Sequence, residues 1–240
     1  MIPKIPNTLF QVSTSAALVQ GVYQGCAKLS DVKACGNFGL GTYEGLNGEG
    51  LMLDGQVYQA LSDGSVVEPD DACRVPFWLS TQFVADRKAQ LDGITSWDDL
   101  CSQVSHHRHS ENLFYAIRMD GIFEHVDYRV ASQASPGTDL VSATRKQAEF
   151  RLNHIKGTLL GFWSPGYAAS FNIPGYHLHF LSLDHKHAGH VLDISGKNLK
   201  LQIMDINKMM LTLPESDMFL KADLSGDPTM ALSKAEGGHR

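Results

Sequence analysis

Five of the eleven histidines in this 240-residue chain lie in one stretch, GYHLHFLSLDHKHAGHVLD, at 175–193. Histidine titrates near neutral pH and is a common metal ligand. Side chains alternate between the two faces of a strand, so His177 and His179 share one face. DHKHAG is typical of a turn, and a turn that is symmetric about its middle places His190 opposite His179, on the same face. The spacing therefore predicts three imidazoles on one facet of a β-hairpin.

Three converging imidazoles suit zinc or another divalent transition ion. Structural zinc is usually closed by four protein ligands, whereas three ligands leave a position for water or substrate. The alternative is a solvated polar strand face, because His-x-His is common there. A shift of one residue in the register would instead turn His185 and His187 toward this facet. In the symmetric register these two histidines point away or lie at the tip of the hairpin.

Composition narrows the classes of partner. The formal net charge is −6 without long charged runs, and no basic patch predicts binding to nucleic acid. No apolar run approaches the ~20 residues that span a membrane, and MIPKIPNTLF lacks the apolar centre of a secretory signal. The four cysteines form no C-x-x-C pair. We therefore expect a cytoplasmic protein in a reducing compartment, with no nucleic-acid or membrane partner.

Strand signals dominate the elements that would position the histidines. EGLMLDGQVYQAL has the pattern of a hairpin around Asp54-Gly55, and NLFYAIRMDGIFEHVDYRV repeats it around Asp120-Gly121. A helix is expected in SWDDLCSQVSHH, with Ser96 as its N-cap, and two others in STSAALVQGVY and ESDMFLKADL.

The stretch SQASPGTDLVSATRKQAEF interrupts the strand pattern and predicts a domain junction or a partly helical crossover near residue 140. The strand-like segments after it are spaced like a mostly antiparallel sheet. The chain is thus expected to have an α/β fold of the α+β type. The pattern divides the chain into an N-terminal part (residues 1–140) and a mostly antiparallel C-terminal part (residues 141–240) that carries the histidines.

One alternative class is a cupin. His177-x-His179 followed by Asp184 is similar to the first metal motif of cupins, in which a glutamate occupies the last position. The second cupin motif contains P-x-G, and this chain has none. A cupin-like metal-dependent oxygenase or isomerase remains the alternative to the function below, and a non-catalytic metal-binding domain is a third possibility.

Several segments together closely resemble the α-acetolactate decarboxylase family. They are FQVSTSAALVQGVYQG, FGLGTYEGLNGEG, NLFYAIRMDGIF, GTLLGFWSP and GYHLHFLSLDHKHAGHVLD, in the family's order and across nearly the whole chain. The resemblance implies a zinc-dependent homodimer with a two-domain α/β fold of the α+β type. In that fold a mixed-sheet N-terminal domain (residues 1–140) packs on an antiparallel C-terminal domain (residues 141–240), with the metal site in the cleft. It implies decarboxylation of α-acetolactate (2-hydroxy-2-methyl-3-oxobutanoate) to acetoin and CO2. Zinc is expected to chelate the hydroxyl and ketone oxygens, and the enediolate to be protonated stereoselectively.

The family's zinc ligands fall on the three histidines that the strand argument selects. Four other polar residues of the family's site have matching positions: Thr42, Glu49, Arg129 and Glu236. The resemblance implies that Glu49 is the acid/base and that Arg129 binds the substrate carboxylate or guides the proton.

By the same resemblance, Thr42 lies at the substrate, and Glu236 acts in catalysis as a zinc ligand or by holding the zinc-bound water. Composition alone predicts an exposed hairpin end at Glu49 and a frayed tail at Glu236, in SKAEGGHR. Gly50 departs from the family, in which an apolar residue such as leucine is expected, and we expect a looser strand there.

Overall fold

The structure, a computed structural model, describes residues 5–135 and 137–236. Fourteen strands and six short α-helices form this part of the chain. The strands are β1 (Thr8–Val12), β2 (Ala27–Lys28), β3 (Phe38–Thr42), β4 (Glu49–Leu53), β5 (Gln56–Ala60), β6 (Val66–Val67), β7 (Arg74–Val75), β8 (Phe77–Thr81), β9 (Arg87–Leu91), β10 (Phe114–Val130), β11 (Ala148–Ser164), β12 (Gly175–Ser182), β13 (Ala188–Ile206) and β14 (Lys208–Thr212). The helices are α1 (Ser15–Val19), α2 (Leu29–Ala34), α3 (Trp97–Ser105), α4 (Leu140–Thr144), α5 (Asp217–Lys221) and α6 (Thr229–Ala235).

The first large sheet has seven strands in the order β14-β1-β8-β3-β4-β5-β6. It is mixed, because β14 pairs with β1 in parallel and the other neighbours are antiparallel. The last strand of the chain therefore completes the sheet that the first strands begin.

The second large sheet has five strands in the order β10-β11-β12-β13-β9. All its neighbours are antiparallel, and β10 pairs with β13 as well as with β11. Four of the strands thus close on themselves around buried aromatic side chains that include Phe123 and Phe180, whose ring centroids are 5.6 Å apart. One hydrophobic core continues from these rings to Leu40 and Leu79 of the seven-stranded sheet. The predicted α+β fold, with a mixed and an antiparallel sheet, is confirmed.

The predicted hairpin turn at Asp54-Gly55 and the predicted N-cap at Ser96 are both confirmed. Asp54 and Gly55 have φ of 52° and 87°, as a two-residue hairpin turn requires, and β4 pairs with β5 across them. Helix α3 begins after Ser96, whose hydroxyl accepts a hydrogen bond from the amide of Asp99. Helices α1 and α5 occupy the two other predicted segments.

The hairpin predicted around Asp120-Gly121 is wrong. Strand β10 runs without a turn for 17 residues, because β11 and β13 bind its two edges along its length. Gly121 serves instead for close packing, since a Cβ there would lie 2.6 Å from Cδ2 of Leu199. HVLDIS and LKLQIMDI, two segments of the sequence pattern, are likewise parts of one strand, β13.

The chain passes from the seven-stranded to the five-stranded sheet between Thr81 and Arg87 and returns at β14. Strands on both sides of residue 140 are paired with each other, and α4 occupies the predicted crossover. The division into domains 1–140 and 141–240 stays a prediction, and residues 237–240 lie outside the described part. No helix within 5–135 or 137–236 is long and apolar enough to cross a membrane.

Candidate metal centre and active site

The hairpin of β12 and β13 has the register that the symmetric turn predicts. His179 lies directly opposite His190. His177 precedes His179 by two residues and so faces the same side. At the tip of the hairpin, His185 has a φ of 57°, and its Nδ1 lies 3.2 Å from the hydroxyl of Tyr58 on the seven-stranded sheet. This contact connects the turn to the other sheet. His177, His179 and His190 are instead buried in the protein.

The three histidines form one buried cluster. His177, His179 and His190 are 8%, 1% and 4% exposed, and each offers a ring nitrogen within 4.8 Å of those of the other two. Nε2 of His177 and Nε2 of His179 are 3.2 Å apart. Two ligand nitrogens of a tetrahedral zinc site, with Zn–N bonds near 2.05 Å, stand about 3.3–3.4 Å apart. The observed spacing therefore fits a tetrahedral ion.

Burial lowers the pKa of all three imidazoles, and most strongly those of His179 and His190. Neighbouring positive charge adds to this: His177 lowers the pKa of His179, and Arg129 lowers that of His190. Neutral imidazoles present the lone pairs that a metal ion requires. The cluster is thus chemically prepared to bind a cation rather than to carry charge itself.

Glu236 brings a carboxylate to the histidines from the end of α6. Its Oε2 lies 3.5 Å from Nε2 of His190 and 3.9 Å from Nε2 of His177. That oxygen is buried and accepts no hydrogen bond from the described residues. Burying a carboxylate oxygen without a hydrogen bond is costly, so its position beside two imidazoles fits a cation held among them.

The expectation of a frayed tail at Glu236 differs from the structure. Helix α6 packs on α4, with Leu232 and Ala235 each 1% exposed. The amide of Glu236 donates to the carbonyl of Leu232, which continues the helical hydrogen bonding to the last described residue. The short polar segment thus buries two apolar side chains where it packs beside the cluster.

Glu49 reaches the cluster from the seven-stranded sheet, at the start of β4. Its Oε1 accepts a hydrogen bond from the amide of Ala131 at 3.1 Å, and its Oε2 lies 3.7 Å from Nε2 of His179. Burial raises the pKa of Glu49 to about 7, against the lowering effects of Arg129 and of the Ala131 amide. A carboxyl with this pKa exchanges a proton readily near neutral pH.

Arg129 is a buried cation beside the cluster. It lies on β10 directly opposite His190 on β13, and only 6% of it is exposed. Its Nη2 is 3.9 Å from Oε2 of Glu236, and its Nη1 donates to Oε1 of Gln147 at 3.1 Å. The guanidinium therefore compensates nearby carboxylates and also faces the cavity next to them.

One small cavity adjoins these groups, and residues of both large sheets line it. Thr42 lies in its wall, opposite Glu49 in the β3–β4 pair, and its hydroxyl donates to the carbonyl of Gly48 at 2.8 Å. The lining of the cavity also includes side chains that the sequence pattern did not single out: Leu18, Leu46, Phe77, Leu140, Thr144, Gln147 and Ile173. No spacing rule marks them, since they converge from segments far apart in the sequence. Their apolar majority favours a small ligand with few polar groups.

Gly50 lies beneath an indole ring. A Cβ at this position would be 2.3 Å from Cζ3 of Trp78, so the site excludes the apolar side chain expected from the family. Trp78 is 1% exposed and fills that volume itself. The looser strand expected here differs from the structure, because β4 pairs with β3 and with β5 through Gly50.

A second group of candidate ligands comprises His125, Asp127 and Asp193. Its carboxylates already have protein partners: Arg151 pairs with Asp127, and the amide of Trp97 donates to Asp193. These partners distinguish the group from the three-histidine cluster.

The fold and the cluster together define a two-sheet α+β protein with a buried three-histidine centre between the sheets. The sequence model of the α-acetolactate decarboxylase family matches residues 9–226. The α-acetolactate decarboxylase of Brevibacillus brevis is 37% identical over 235 residues, which are 98% of this chain and 82% of that protein. The α-acetolactate decarboxylase of Methanosarcina mazei is 37% identical over 241 residues, which are 98% of this chain and 84% of that protein.

A solved structure gives the same result in three dimensions. The crystal structure of α-acetolactate decarboxylase from Bacillus subtilis strain 168 has a TM-score of 0.93 and 34% identity, covering 96% of this chain and 99% of that chain. The chain belongs to the α-acetolactate decarboxylase family, whose named members are carboxy-lyases.

Proposed function

We propose that this protein converts α-acetolactate to acetoin and CO2 at the three-histidine centre. The observation that carries the proposal is the meeting of three neutral imidazoles, a carboxyl of raised pKa and a buried guanidinium beside one cavity. In the reaction the bond between the carboxylate carbon and C2 breaks, and CO2 leaves. The electron pair enters an enediolate, and a proton then adds to C2. Each step needs a positioned group, and the cavity offers one for each.

His177, His179 and His190 would hold a zinc ion, with the Glu236 carboxylate as a further ligand or as the acceptor for a ligand water. Bound there, zinc would act as a Lewis acid that chelates the substrate's hydroxyl and ketone oxygens and stabilises the negative charge left by decarboxylation. The choice of zinc rests on the nitrogen-rich ligand set and on the family resemblance.

Arg129 would bind the substrate carboxylate before it departs. A guanidinium matches a carboxylate with two parallel hydrogen bonds, and it keeps its charge when buried. Since only 6% of Arg129 is exposed, water competes weakly for those donors. Thr42 would assist, because its hydroxyl hydrogen is used on Gly48 and its oxygen remains as an acceptor for a substrate hydroxyl.

Glu49 would deliver the proton to C2. Burial raises its pKa to about 7 against the lowering effect of Arg129, so much of the carboxyl is protonated near neutral pH when the three histidines hold no ion. The hydrogen bond from Ala131 fixes one oxygen and leaves Oε2 for proton transfer. A proton donor held on one side of a bound enediolate adds the proton to one face, which would make the acetoin chiral. Assembly as a homodimer and a cytoplasmic location are further proposals that rest on the resemblance.

The test is metal analysis of the purified protein followed by incubation with racemic α-acetolactate. Acetoin, CO2 and oxygen uptake are measured together, and the acetoin is resolved on a chiral phase. We expect about one zinc per chain, equal amounts of acetoin and CO2, one acetoin enantiomer in excess and no oxygen uptake. Oxygen consumption without acetoin would favour the oxygenase alternative, and bound zinc without turnover would favour a non-catalytic metal-binding protein.

A further inference from the structure

We infer that Gln147 is a positioning residue that holds the guanidinium of Arg129 ready for an anionic ligand. The inference rests on the proposed function, in which Arg129 binds the substrate carboxylate. Gln147 lines the same cavity as Arg129 and His190. Its Oε1 is the hydrogen-bond acceptor of Nη1 of Arg129 at 3.1 Å, and no other described residue accepts a hydrogen bond from this guanidinium.

The backbone places Gln147 between a helix end and a strand. Its amide donates to the carbonyl of Thr144, at the last residue of α4, and β11 begins at the next residue. Glu149 lies directly opposite Arg129 in the β10–β11 ladder. Because side chains alternate along an extended segment, Gln147 and Glu149 lie on the same face as Arg129. Gln147 is therefore held on one side by the end of α4 and on the other by the two-strand ladder, which begins at the next residue.

Glu149 determines which end of the Gln147 amide faces Arg129. Nε2 of Gln147 donates to Oε1 of Glu149 at 2.9 Å, so the carbonyl oxygen is the end left for the guanidinium. A carboxylate accepts hydrogen bonds only, and the reverse orientation of the amide would bring two donors against Arg129. In this series of hydrogen bonds, Glu149 orients the amide of Gln147, and Gln147 orients the guanidinium of Arg129.

The neutrality of Gln147 is as important as its geometry. The Glu236 carboxylate already lies 3.9 Å from Arg129, and Glu49 is close enough for Arg129 to lower its pKa. A third carboxylate at position 147 would leave less net positive charge for a substrate anion. A primary amide accepts the hydrogen bond without cancelling the charge, so it orients Arg129 and leaves it electrostatically available.

The experiment compares two ligands on the metal-loaded protein by titration calorimetry. The first is 2-hydroxy-2-methylpropanoate, an anion with the substrate's hydroxyl acid group and no ketone. The second is acetoin, which is neutral and lacks the carboxylate. Gln147→Leu removes the acceptor, and Gln147→Glu keeps an acceptor and adds charge. Gln56→Leu is the matched control, because Gln56 on β5 also donates its amide to a glutamate, Glu68 just after β6, and neither residue lines the cavity.

We expect both Gln147 variants to weaken binding of the anion about 10- to 100-fold, the range for one hydrogen bond to a charged group. Acetoin binding, metal content and the melting temperature should change little, and Gln56→Leu should match the wild type throughout. In steady-state kinetics KM for acetolactate should rise by a larger factor than kcat falls. Wild-type affinity for the anion in either variant would overturn the inference. Equal weakening of acetoin and the anion would also overturn it, since that result indicates a general distortion of the cavity.

The calorimetric result does not depend on turnover. If the wild type binds the anion but forms no acetoin, the proposed function fails and the assignment of Gln147 is still decided by the variants. If the wild type does not bind the anion, Arg129 is not available to a carboxylate and the inference fails by itself, whatever the turnover.

Discussion

Replacing Gly50 tests whether the packing of Trp78 explains why this position carries no side chain. A Cβ on Gly50 would lie 2.3 Å from Cζ3 and 2.8 Å from Cη2 of Trp78. Non-bonded carbon atoms prefer about 3.5–4.0 Å, so Gly50→Ala requires the ring or β4 to move by roughly 1 Å. The residue is 1% exposed, so its ring is enclosed by other protein atoms.

Overpacking of this kind typically costs about 1–3 kcal/mol. Glycine-to-alanine replacement also removes conformational freedom from the unfolded chain, which stabilises by about 0.4–1 kcal/mol where the site is open. An overlap of roughly 1 Å or more places the clash in the upper half of the overpacking range, at about 2–3 kcal/mol, so the net effect is a destabilisation of about 1–2.6 kcal/mol. At about 2–4 °C per kcal/mol for a chain of this size, the melting temperature of Gly50→Ala should fall by roughly 2–10 °C. Differential scanning calorimetry measures the shift.

Gly166→Ala is the matched control, because a Cβ there meets nothing within 4 Å. It should melt at or slightly above the wild-type temperature. The double variant Gly50→Ala/Trp78→Phe should lose less melting temperature than the sum of the losses in the two single variants. The reason is that phenylalanine lacks the outer ring of the indole, which the new Cβ would contact. A Gly50→Ala protein that melts like the wild type would refute the packing argument.

The remaining predictions concern the metal centre. His179→Ala should lose bound metal and turnover but keep the far-UV circular dichroism of the wild type. The control His187→Ala should keep nearly wild-type metal content and turnover. Loss of metal in His187→Ala would show that the ligand set is wrong. Glu49→Gln should keep the metal and lose about 10²- to 10⁴-fold in turnover, as for a general acid, and unchanged turnover would remove Glu49 from that role. Deleting residues 236–240 should cut activity sharply with little change in melting temperature, because few apolar groups are lost. Glu236→Gln should reproduce most of that loss of activity. Deleting only the last two residues should leave activity unchanged. Full activity in the five-residue truncation would show that the carboxylate is dispensable.

The sequence by itself determined the features that depend on a few consecutive residues. Asp54-Gly55 forms a hairpin because two positive φ angles are needed there and these residues tolerate them. Ser96 caps α3 because a short hydroxyl reaches the amide three residues on. His177, His179 and His190 share a facet because strand alternation and one short turn are enough to place them. In each case the information lies within about 15 residues.

Family resemblance, rather than pattern, pointed to Thr42, Glu49, Arg129 and Glu236. Local composition predicted an exposed hairpin end at Glu49 and a frayed tail at Glu236. Both are placed at the cluster by partners distant in the sequence: Glu49 by the amide of Ala131, and α6 by its packing on α4. Long-range contacts of this kind leave no periodicity in the sequence that could be read in advance.

Only the tertiary structure decided the outcome where local and long-range preferences compete. Asp120-Gly121 has the composition of a turn, yet it lies inside a strand, because hydrogen bonds to β11 and β13 on both edges outweigh a local turn preference. Gly50 and Trp78 are 28 positions apart, and only their contact shows why one lacks a side chain. Gln147 has no signal in the sequence, and its place beside Arg129 follows from the pairing of β10 with β11. Turn and strand preferences are worth about 1 kcal/mol or less each, whereas pairing and burial act over whole strands, so the fold as a whole determined which local signals were realised.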